Sequence, residues 1–173
     1  MSFLSPKQMI DQMYIQPNST ILDIGAGSGA YIYEVCRVNG KGGKVVAVDI
    51  DADKLKLVKD TASIGGYDID ILNVDIESGI LLPDYMADYI VMANTFYQID
   101  KSKRQTVLKD ISRLLAPMGE MLFVEWKEKS VLGPSEELIV DRVLVEELFK
   151  ECNLKIKKEL SAGDYHYAYL LTK

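Results

Sequence analysis

The segment Thr20–Ala30 constrains the fold of this chain more than any other. Its first half is apolar and has the length of a buried strand, three glycines at alternate positions follow, and Tyr31–Val38 has the length of a helix. The apolar residues are Ile21, Leu22 and Ile24, and the glycines are Gly25, Gly27 and Gly29. Glycine permits backbone torsions closed to other residues, and a helix N-terminus offers unpaired N–H donors. The segment therefore predicts a strand–turn–helix corner of the nucleotide-binding kind.

The glycine spacing by itself does not decide which ligand such a corner holds. Gly25, Gly27 and Ala30 satisfy the dinucleotide pattern G-x-G-x-x-G/A, which is a weak signal when it stands alone. A glycine turn that holds no ligand is a further reading of the same residues. Asp23, still on the strand and two residues before the first glycine, is the feature that favours another cofactor class.

The string Leu-Asp-Ile-Gly-Ala-Gly-Ser-Gly at residues 22–29 resembles the first motif of class I S-adenosylmethionine-dependent methyltransferases. The segment Ala87–Tyr97 resembles the fourth motif of the same family, and the ending Gly-Asp-Tyr-His-Tyr at residues 163–167 is similar to small methyltransferases of the ubiquinone/menaquinone-biosynthesis type. The resemblance extends over nearly the whole chain. It departs from the family at Phe96-Tyr97-Gln98, where many relatives carry a histidine, and at Met118, which stands in place of a glycine.

The pattern and the resemblance together predict an α/β fold, a Rossmann-like three-layer sandwich. We expect a seven-stranded, mostly parallel sheet whose last strand is antiparallel, because Ser161–Asp164 makes the final connection a hairpin. The predicted strands are 21–24, 44–50, 68–74, 87–93, 120–126, 154–160 and 165–171, and the predicted helices are 6–14, 31–38, 54–63, 101–116 and 143–152. The length suits one S-adenosylmethionine-dependent methyltransferase domain over residues 1–173, with residues 1–18 as an N-terminal helical cover.

Two carboxylates at strand ends carry the cofactor prediction. Asp49 lies about twenty residues beyond the glycine loop, where a carboxylate can accept hydrogen bonds from ribose hydroxyls. The resemblance implies that Asp75 takes the exocyclic amine of adenine, although an N-cap or loop role is open for it. A helix-cap role fits Asp51 or Asp53 better than Asp49. The predicted cofactor-binding residues are Asp23, Gly25, Ala26, Gly27, Gly29, Asp49, Ile50, Asp75, Ile76 and Asn94.

We expect the methyl acceptor to bind at the carboxyl end of the fifth strand, beside the final hairpin. The candidate bases are His166, Glu125 and Tyr97, and the candidate substrate contacts are Trp126 and Tyr165. His166 is the only histidine, and its alternative role is a strand histidine bonded to a neighbouring tyrosine or carboxylate. A base is needed only where the acceptor must lose a proton.

The composition of the chain limits the kinds of partner and the cellular location that we expect for this protein. The net charge is −6 and the one dense basic stretch is Lys155–Lys158, which disfavours nucleic acid as the main partner. Cys36 and Cys152 fit no metal or redox spacing, so we expect no metal, and two free thiols indicate a reducing cytoplasm. No apolar run reaches the ~20 residues that cross a bilayer, and residues 1–6 lack the features of a signal peptide. A homodimer is left open.

The predicted function is methyl transfer from S-adenosylmethionine to a small-molecule acceptor by in-line displacement, with S-adenosylhomocysteine as product. Two alternatives belong to other classes: a non-catalytic S-adenosylmethionine-binding partner subunit, and an NAD(P)-dependent oxidoreductase. Asp75 and the terminal hairpin favour S-adenosylmethionine over NAD.

Overall fold

The computed structural model describes residues 2–128 and 133–173. Its strands are β1 Thr20–Ile24, β2 Lys44–Asp49, β3 Asp70–Asn73, β4 Ala87–Ala93, β5 Leu115–Trp126, β6 Lys155–Leu160 and β7 His166–Thr172. Its α-helices are α1 Pro6–Asp11, α2 Ile32–Asn39, α3 Ala52–Ile64, α4 Arg104–Leu114 and α5 Arg142–Glu151, and 3₁₀ turns occupy Ile76–Ser78, Phe96–Gln98 and Glu136–Leu138.

The strands form one seven-stranded sheet in the order β3-β2-β1-β4-β5-β7-β6. Neighbours from β3 to β5 are parallel, whereas β7 runs antiparallel to both β5 and β6. The predicted fold class is confirmed. β1 and β2 are mostly apolar and buried because helices cover both faces of the sheet, whereas β3 lies at the edge and is exposed at three of its four residues.

Each face of the sheet carries its own apolar cluster. On one face α4 and α5 pack against the sheet, with Leu108, Phe123 and Phe149 fully buried. On the other face α1, α2 and α3 do so, and Met9 and Val35 are among the residues they bury. Helix α1 contributes Met9 and Ile10 to this second cluster and contacts α2.

Several element boundaries differ from the predicted ones by one to three residues, and the start of β5 differs by five; α4, for example, is Arg104–Leu114 instead of 101–116. Helix α1 ends at Asp11 instead of residue 14, and Tyr14 beyond it has a φ of 54°, outside the helical range. Strand β5 begins at Leu115 rather than after a separate turn. The register between β4 and β5 jumps there, so that Ala87 pairs with Leu115 but Tyr89 pairs with Glu120. The extra residues of β5 form a bulge within the strand.

The N-terminal segment is tied to the β6–β7 hairpin. The Ser2 amide donates to Asp164 Oδ2 at 2.8 Å, and the Asp164 amide donates to the Ser2 carbonyl at 3.0 Å. The rings of Phe3 and Tyr165 stack with centroids 5.7 Å apart. None of the helices within residues 2–128 and 133–173 has the length and apolar character that crossing a membrane requires.

Candidate active site

A cavity of about 520 Å³ opens at the carboxyl ends of β1, β2, β3 and β4. It lies where the strand order reverses, since β2 and β4 flank β1 and are reached by connections in opposite directions. Every predicted cofactor residue except Gly29 lines it: Asp23, Gly25, Ala26, Gly27, Asp49, Ile50, Asp75, Ile76 and Asn94. Gly29 lies instead against α3, where an added Cβ would come within 2.9 Å of Val58.

The close approach of Thr95 leaves no room for a side chain at Gly25, the first glycine of the loop. Gly25 has a φ of +74°, and a Cβ there would lie 2.2 Å from Thr95 Oγ1. The Thr95 hydroxyl donates to the Ile24 carbonyl at 3.3 Å, while the Gly25 and Ala26 amides donate to the Val48 carbonyl at 2.8 and 3.0 Å. The loop is therefore held against both adjacent strand ends.

Asp49 joins the glycine loop to the end of β2. Its Oδ2 accepts the Gly27 amide at 2.7 Å and its Oδ1 accepts the Asp51 amide at 2.9 Å. Asp51 is the residue that caps α3, because its carboxylate accepts the Asp53 and Lys54 amides at 3.1 Å. The helix cap considered for this region is thus Asp51, and the Asp49 carboxylate stays at the cavity.

Asp75 caps a turn and also lines the cavity. Its Oδ1 accepts the Glu77 amide at 2.9 Å and so caps the 3₁₀ turn Ile76–Ser78. The same exposed carboxylate lines the cavity. Because an ionised carboxylate has lone pairs for about four hydrogen bonds, the cap leaves acceptor capacity toward a ligand.

Three buried polar atoms on the cavity wall have no hydrogen-bond partner among the described residues. They are Asp23 Oδ2, the Tyr31 hydroxyl and Asn94 Oδ1. Burial, with the nearby Asp49 charge, raises the pKa of Asp23 to about 7, and burial raises the pKa of Tyr31. Buried polar atoms are normally paired, so this set points to a ligand. A carboxylate, an amide oxygen and a hydroxyl suit a cationic group with several N–H donors, such as the ammonium of S-adenosylmethionine.

Glu125 lies beside the cavity but is turned to the protein backbone. The side chain is 1% exposed; Oε1 accepts the Phe96 and Tyr97 amides at 2.7 and 3.3 Å, and Oε2 accepts the Trp126 amide at 3.2 Å. Burial raises the pKa of Glu125 to about 7, and these hydrogen bonds act against that rise.

His166 lies on the opposite face of the sheet from Glu125. It pairs with Trp126 across the β5–β7 ladder, and their ring centroids are 4.0 Å apart. His166 is 6% exposed, and neither ring nitrogen has a hydrogen-bond partner among the described residues, in contrast to the bonded strand histidine considered above. Burial and the charge of Lys127 lower the pKa of His166 to about 4, so the imidazole is neutral at pH 7.

The structure thus brings the predicted cofactor residues other than Gly29 together at one cavity, which the acceptor-side candidates do not line. Of the described residues, those lining the cavity do not include the candidate bases or substrate contacts, namely His166, Glu125, Tyr97, Trp126 and Tyr165. Sequence reasoning missed Tyr31 and Thr95. The available signal was position, since each directly follows a segment already assigned to the cofactor.

A larger groove of about 1080 Å³ lies between α4, α5 and β6. Its wall includes Lys109, Lys150, Lys155 and Lys173, and none of the unpaired buried polar atoms. We therefore locate the cofactor site in the smaller cavity.

The fold and the cavity define a Rossmann-like protein with a candidate cofactor site at the switch point of its sheet. Residues 21–119 match the family described as "Methyltransferase domain", and the chain belongs to this family. S-adenosylmethionine is the cofactor of this family and fold.

Individual relatives agree with the family. The chain is 28% identical over 120 residues to the ubiquinone/menaquinone biosynthesis C-methyltransferase UbiE of Hahella chejuensis, covering 69% of this chain and 47% of that protein. It is 28% identical over 147 residues to the ribosomal protein L11 methyltransferase of Caldicellulosiruptor bescii, covering 85% and 46%. The chain spans about half the length of these curated relatives.

A solved structure has the same fold over nearly its whole length. The crystal structure of a SAM dependent methyltransferase from Aquifex aeolicus superposes with a TM-score of 0.87 at 23% identity, covering 98% of this chain and 89% of that one.

Proposed function

We propose that this protein transfers the methyl group of S-adenosylmethionine to a small-molecule acceptor, with residues 1–173 acting as one domain. The observation that best supports this proposal is the set of buried polar atoms without hydrogen-bond partners, within the described part of the chain, on Asp23, Tyr31 and Asn94. They lie in a cavity that Asp49 also lines. The family match supports methyl transfer, and no comparison supports the dinucleotide alternative.

In this proposal the chain's residues bind and orient the cofactor, which when bound supplies an electrophilic methyl group on a sulfonium. Asp23 and Asn94 accept hydrogen bonds from the ammonium, and Asp49 accepts them from the ribose hydroxyls. Asp75 accepts from the adenine amine, between the apolar side chains of Ile50 and Ile76. Correct orientation of two reactants can account for roughly 7–11 kcal/mol of a barrier, so positioning is the main catalytic contribution.

The acceptor side is proposed at the carboxyl end of β5 and the amino end of β7, with Trp126 and Tyr165 contacting the substrate. His166 is the first candidate base because both of its ring nitrogens are unpaired among the described residues; its pKa of about 4 leaves it neutral at pH 7 and makes it a weak proton acceptor. Tyr97 is the second. Glu125 ranks behind them because both of its oxygens already accept backbone amides.

The identity of the acceptor is not carried over from the relatives. One is named for quinone biosynthesis and another for a ribosomal protein, so the shared domain serves different acceptors. The net charge of −6 supports a small molecule over nucleic acid. A cytoplasmic location is supported by the free, buried thiols of Cys36 and Cys152. A homodimer that covers the substrate side is part of the proposal.

Calorimetric titration with S-adenosylhomocysteine and, separately, with NAD tests the cofactor assignment. We expect saturable binding of S-adenosylhomocysteine and none of NAD; binding of NAD alone would overturn the proposal. Methyl transfer from labelled S-adenosylmethionine to fractionated small-molecule pools then tests the reaction. Transfer only in the presence of a second protein would favour a partner subunit over an independent enzyme.

A further inference from the structure

One turn of the chain forms a whole wall of the cofactor cavity. After β4 the residues Asn94, Thr95, Gln98 and Ile99 line the cavity. Between them, the Phe96 ring turns into the core and lies 5.4 Å from the ring of Phe123. The position of this wall therefore depends on what holds the backbone of the 3₁₀ turn Phe96–Gln98.

Glu125 holds the amide side of that turn. Its buried Oε1 accepts two consecutive amides, those of Phe96 and Tyr97, at 2.7 and 3.3 Å. Hydrogen bonds to an ionised acceptor are roughly twice as strong as neutral ones. The carboxylate is itself fixed on β5, because its Oε2 accepts the Trp126 amide at 3.2 Å.

Arg104 holds the carbonyl side of the same turn. Arg104 as a whole is 4% exposed, and its guanidinium donates to the Ile99 carbonyl at 3.2 Å and to the Tyr97 carbonyl at 3.4 Å. It also lies over the Phe96 ring, 5.5 Å from the centroid. The buried carboxyl group of Glu125 and the guanidinium of the buried Arg104 thus bind opposite polar groups of one short segment.

The segment needs such support because Asn94, its first residue, is strained. Asn94 has a φ of 53°, a conformation that asparagine adopts at a cost. Its amide donates to the Val124 carbonyl at 2.9 Å, which places it directly beside Glu125 on the neighbouring strand. Its Oδ1 is one of the unpaired atoms on the cavity wall.

We propose that Glu125 is a positioning residue that, with Arg104 opposite, holds the turn after β4 so that Asn94 faces the cofactor. In this role Glu125 touches neither acceptor nor cofactor and transfers no proton. The inference rests on the proposed function only for the identity of the ligand. The contacts between Glu125 and the turn are independent of it.

The test compares Glu125→Ala with the near-isosteric Glu125→Gln. Glutamine retains one oxygen for the Phe96 and Tyr97 amides, whereas alanine retains none. We expect Glu125→Ala to reduce hydrogen-exchange protection of these two amides at least tenfold and to weaken S-adenosylhomocysteine binding by about tenfold or more, the loss of about 1.4 kcal/mol. Glu125→Gln should keep the protection and bind within about threefold of the parent.

Glu120→Gln is the matched control, because Glu120 lies on the same strand and pairs with Lys157 instead of the turn. It should change neither readout. If Glu125→Ala does not fold, Glu125→Asp replaces it, since a side chain one methylene shorter loses the reach to the turn.

Full protection of both amides in Glu125→Ala would overturn the inference. So would loss of binding in Glu125→Gln with the amides still protected, because that result requires direct contact with the ligand. If the parent binds no S-adenosylhomocysteine, the proposed function fails, and hydrogen exchange still decides the role of Glu125.

Discussion

The amide of Gly27 donates a 2.7 Å hydrogen bond to Asp49 Oδ2, and so joins the glycine loop to the end of the neighbouring strand across the floor of the cavity. Both residues were assigned to the cofactor from their positions in sequence. The bond makes them one unit, so that Asp49 both shapes the loop and presents acceptor capacity to a ligand.

The variant Asp49→Ala removes the hydrogen bond between Gly27 and Asp49 together with the carboxylate that faces the cavity. We expect S-adenosylhomocysteine to bind at least about tenfold more weakly, because the loop loses its anchor and the ribose loses its acceptor. Calorimetric titration measures the effect. Asp60→Ala, on the exposed side of α3, should bind as the parent does. Parent-like affinity in Asp49→Ala would contradict the assignment.

Gly25→Ala should be far more damaging than Gly40→Ala, although the two glycines have φ values of +74° and +73°. The added methyl at Gly25 would collide with Thr95, whereas nothing lies within 4 Å of a Cβ at Gly40. Overpacking at Gly25 costs about 1–3 kcal/mol, whereas Gly40→Ala meets backbone strain alone, because a φ of 73° with a ψ of 178° is nearly restricted to glycine. Urea denaturation measures the difference in free energy of unfolding. An equal loss of free energy of unfolding in the two variants would mean that the Thr95 side chain moves aside without an energetic penalty.

Asp23 makes the ligand-free protein less stable as pH rises. Its folded pKa, about 7, lies above the unfolded value of about 3.9, so the stabilisation from its protonated form is complete below pH ~4 and is lost as pH rises through ~7. The isosteric variant Asp23→Asn has no ionisable group at this position, so its stability does not fall with pH for this reason.

We therefore expect the free energy of unfolding of Asp23→Asn to rise relative to the parent by about 2–4 kcal/mol between pH 4 and pH 8. Denaturant titrations of both proteins across that range measure it. Glu125, whose pKa burial also raises to about 7, titrates in both proteins and cancels in the difference. A pH-independent difference would show that Asp23 stays ionised.

His166→Ala should lower the rate of methyl transfer at least tenfold while the affinity for S-adenosylhomocysteine stays unchanged. Cofactor affinity should not change because His166 is not among the residues lining the cavity. It lies against Trp126 at the end of β5, where the acceptor is proposed to bind. Steady-state rates with an acceptor from the screen, beside calorimetry, separate the two effects. Unchanged turnover would remove His166 as a base and leave Tyr97 to be tested by replacement with phenylalanine.

Much of the fold could be predicted because its signals are local. The buried strands β1 and β2 are short apolar runs between turn residues, and Ser5, which caps α1 by accepting the Gln8 amide at 3.4 Å, stands directly before a proline. The bulged start of β5 was missed, since Pro117 and Gly119 signal a turn equally well inside or before a strand.

The site was predictable where chemistry follows position along the chain. Asp49 and Asn94 stand at strand ends, and the carboxyl ends of parallel strands share one edge of a sheet. The contacts of Glu125, His166 and Tyr31 depend on packing between distant segments. No local pattern indicates that Glu125 faces backbone amides, or that the Tyr31 hydroxyl is buried without a partner.

Strand β7 lies between β5 and β6, yet it follows both of them in the chain. While the polypeptide is being synthesised, β5 and β6 therefore emerge with unsatisfied edges that only a later segment can fill. Open strand edges invite pairing with other chains. The part of the sheet beside Trp126 is thus completed last, and we expect nascent chains that stall before His166 to be the most exposed to aggregation.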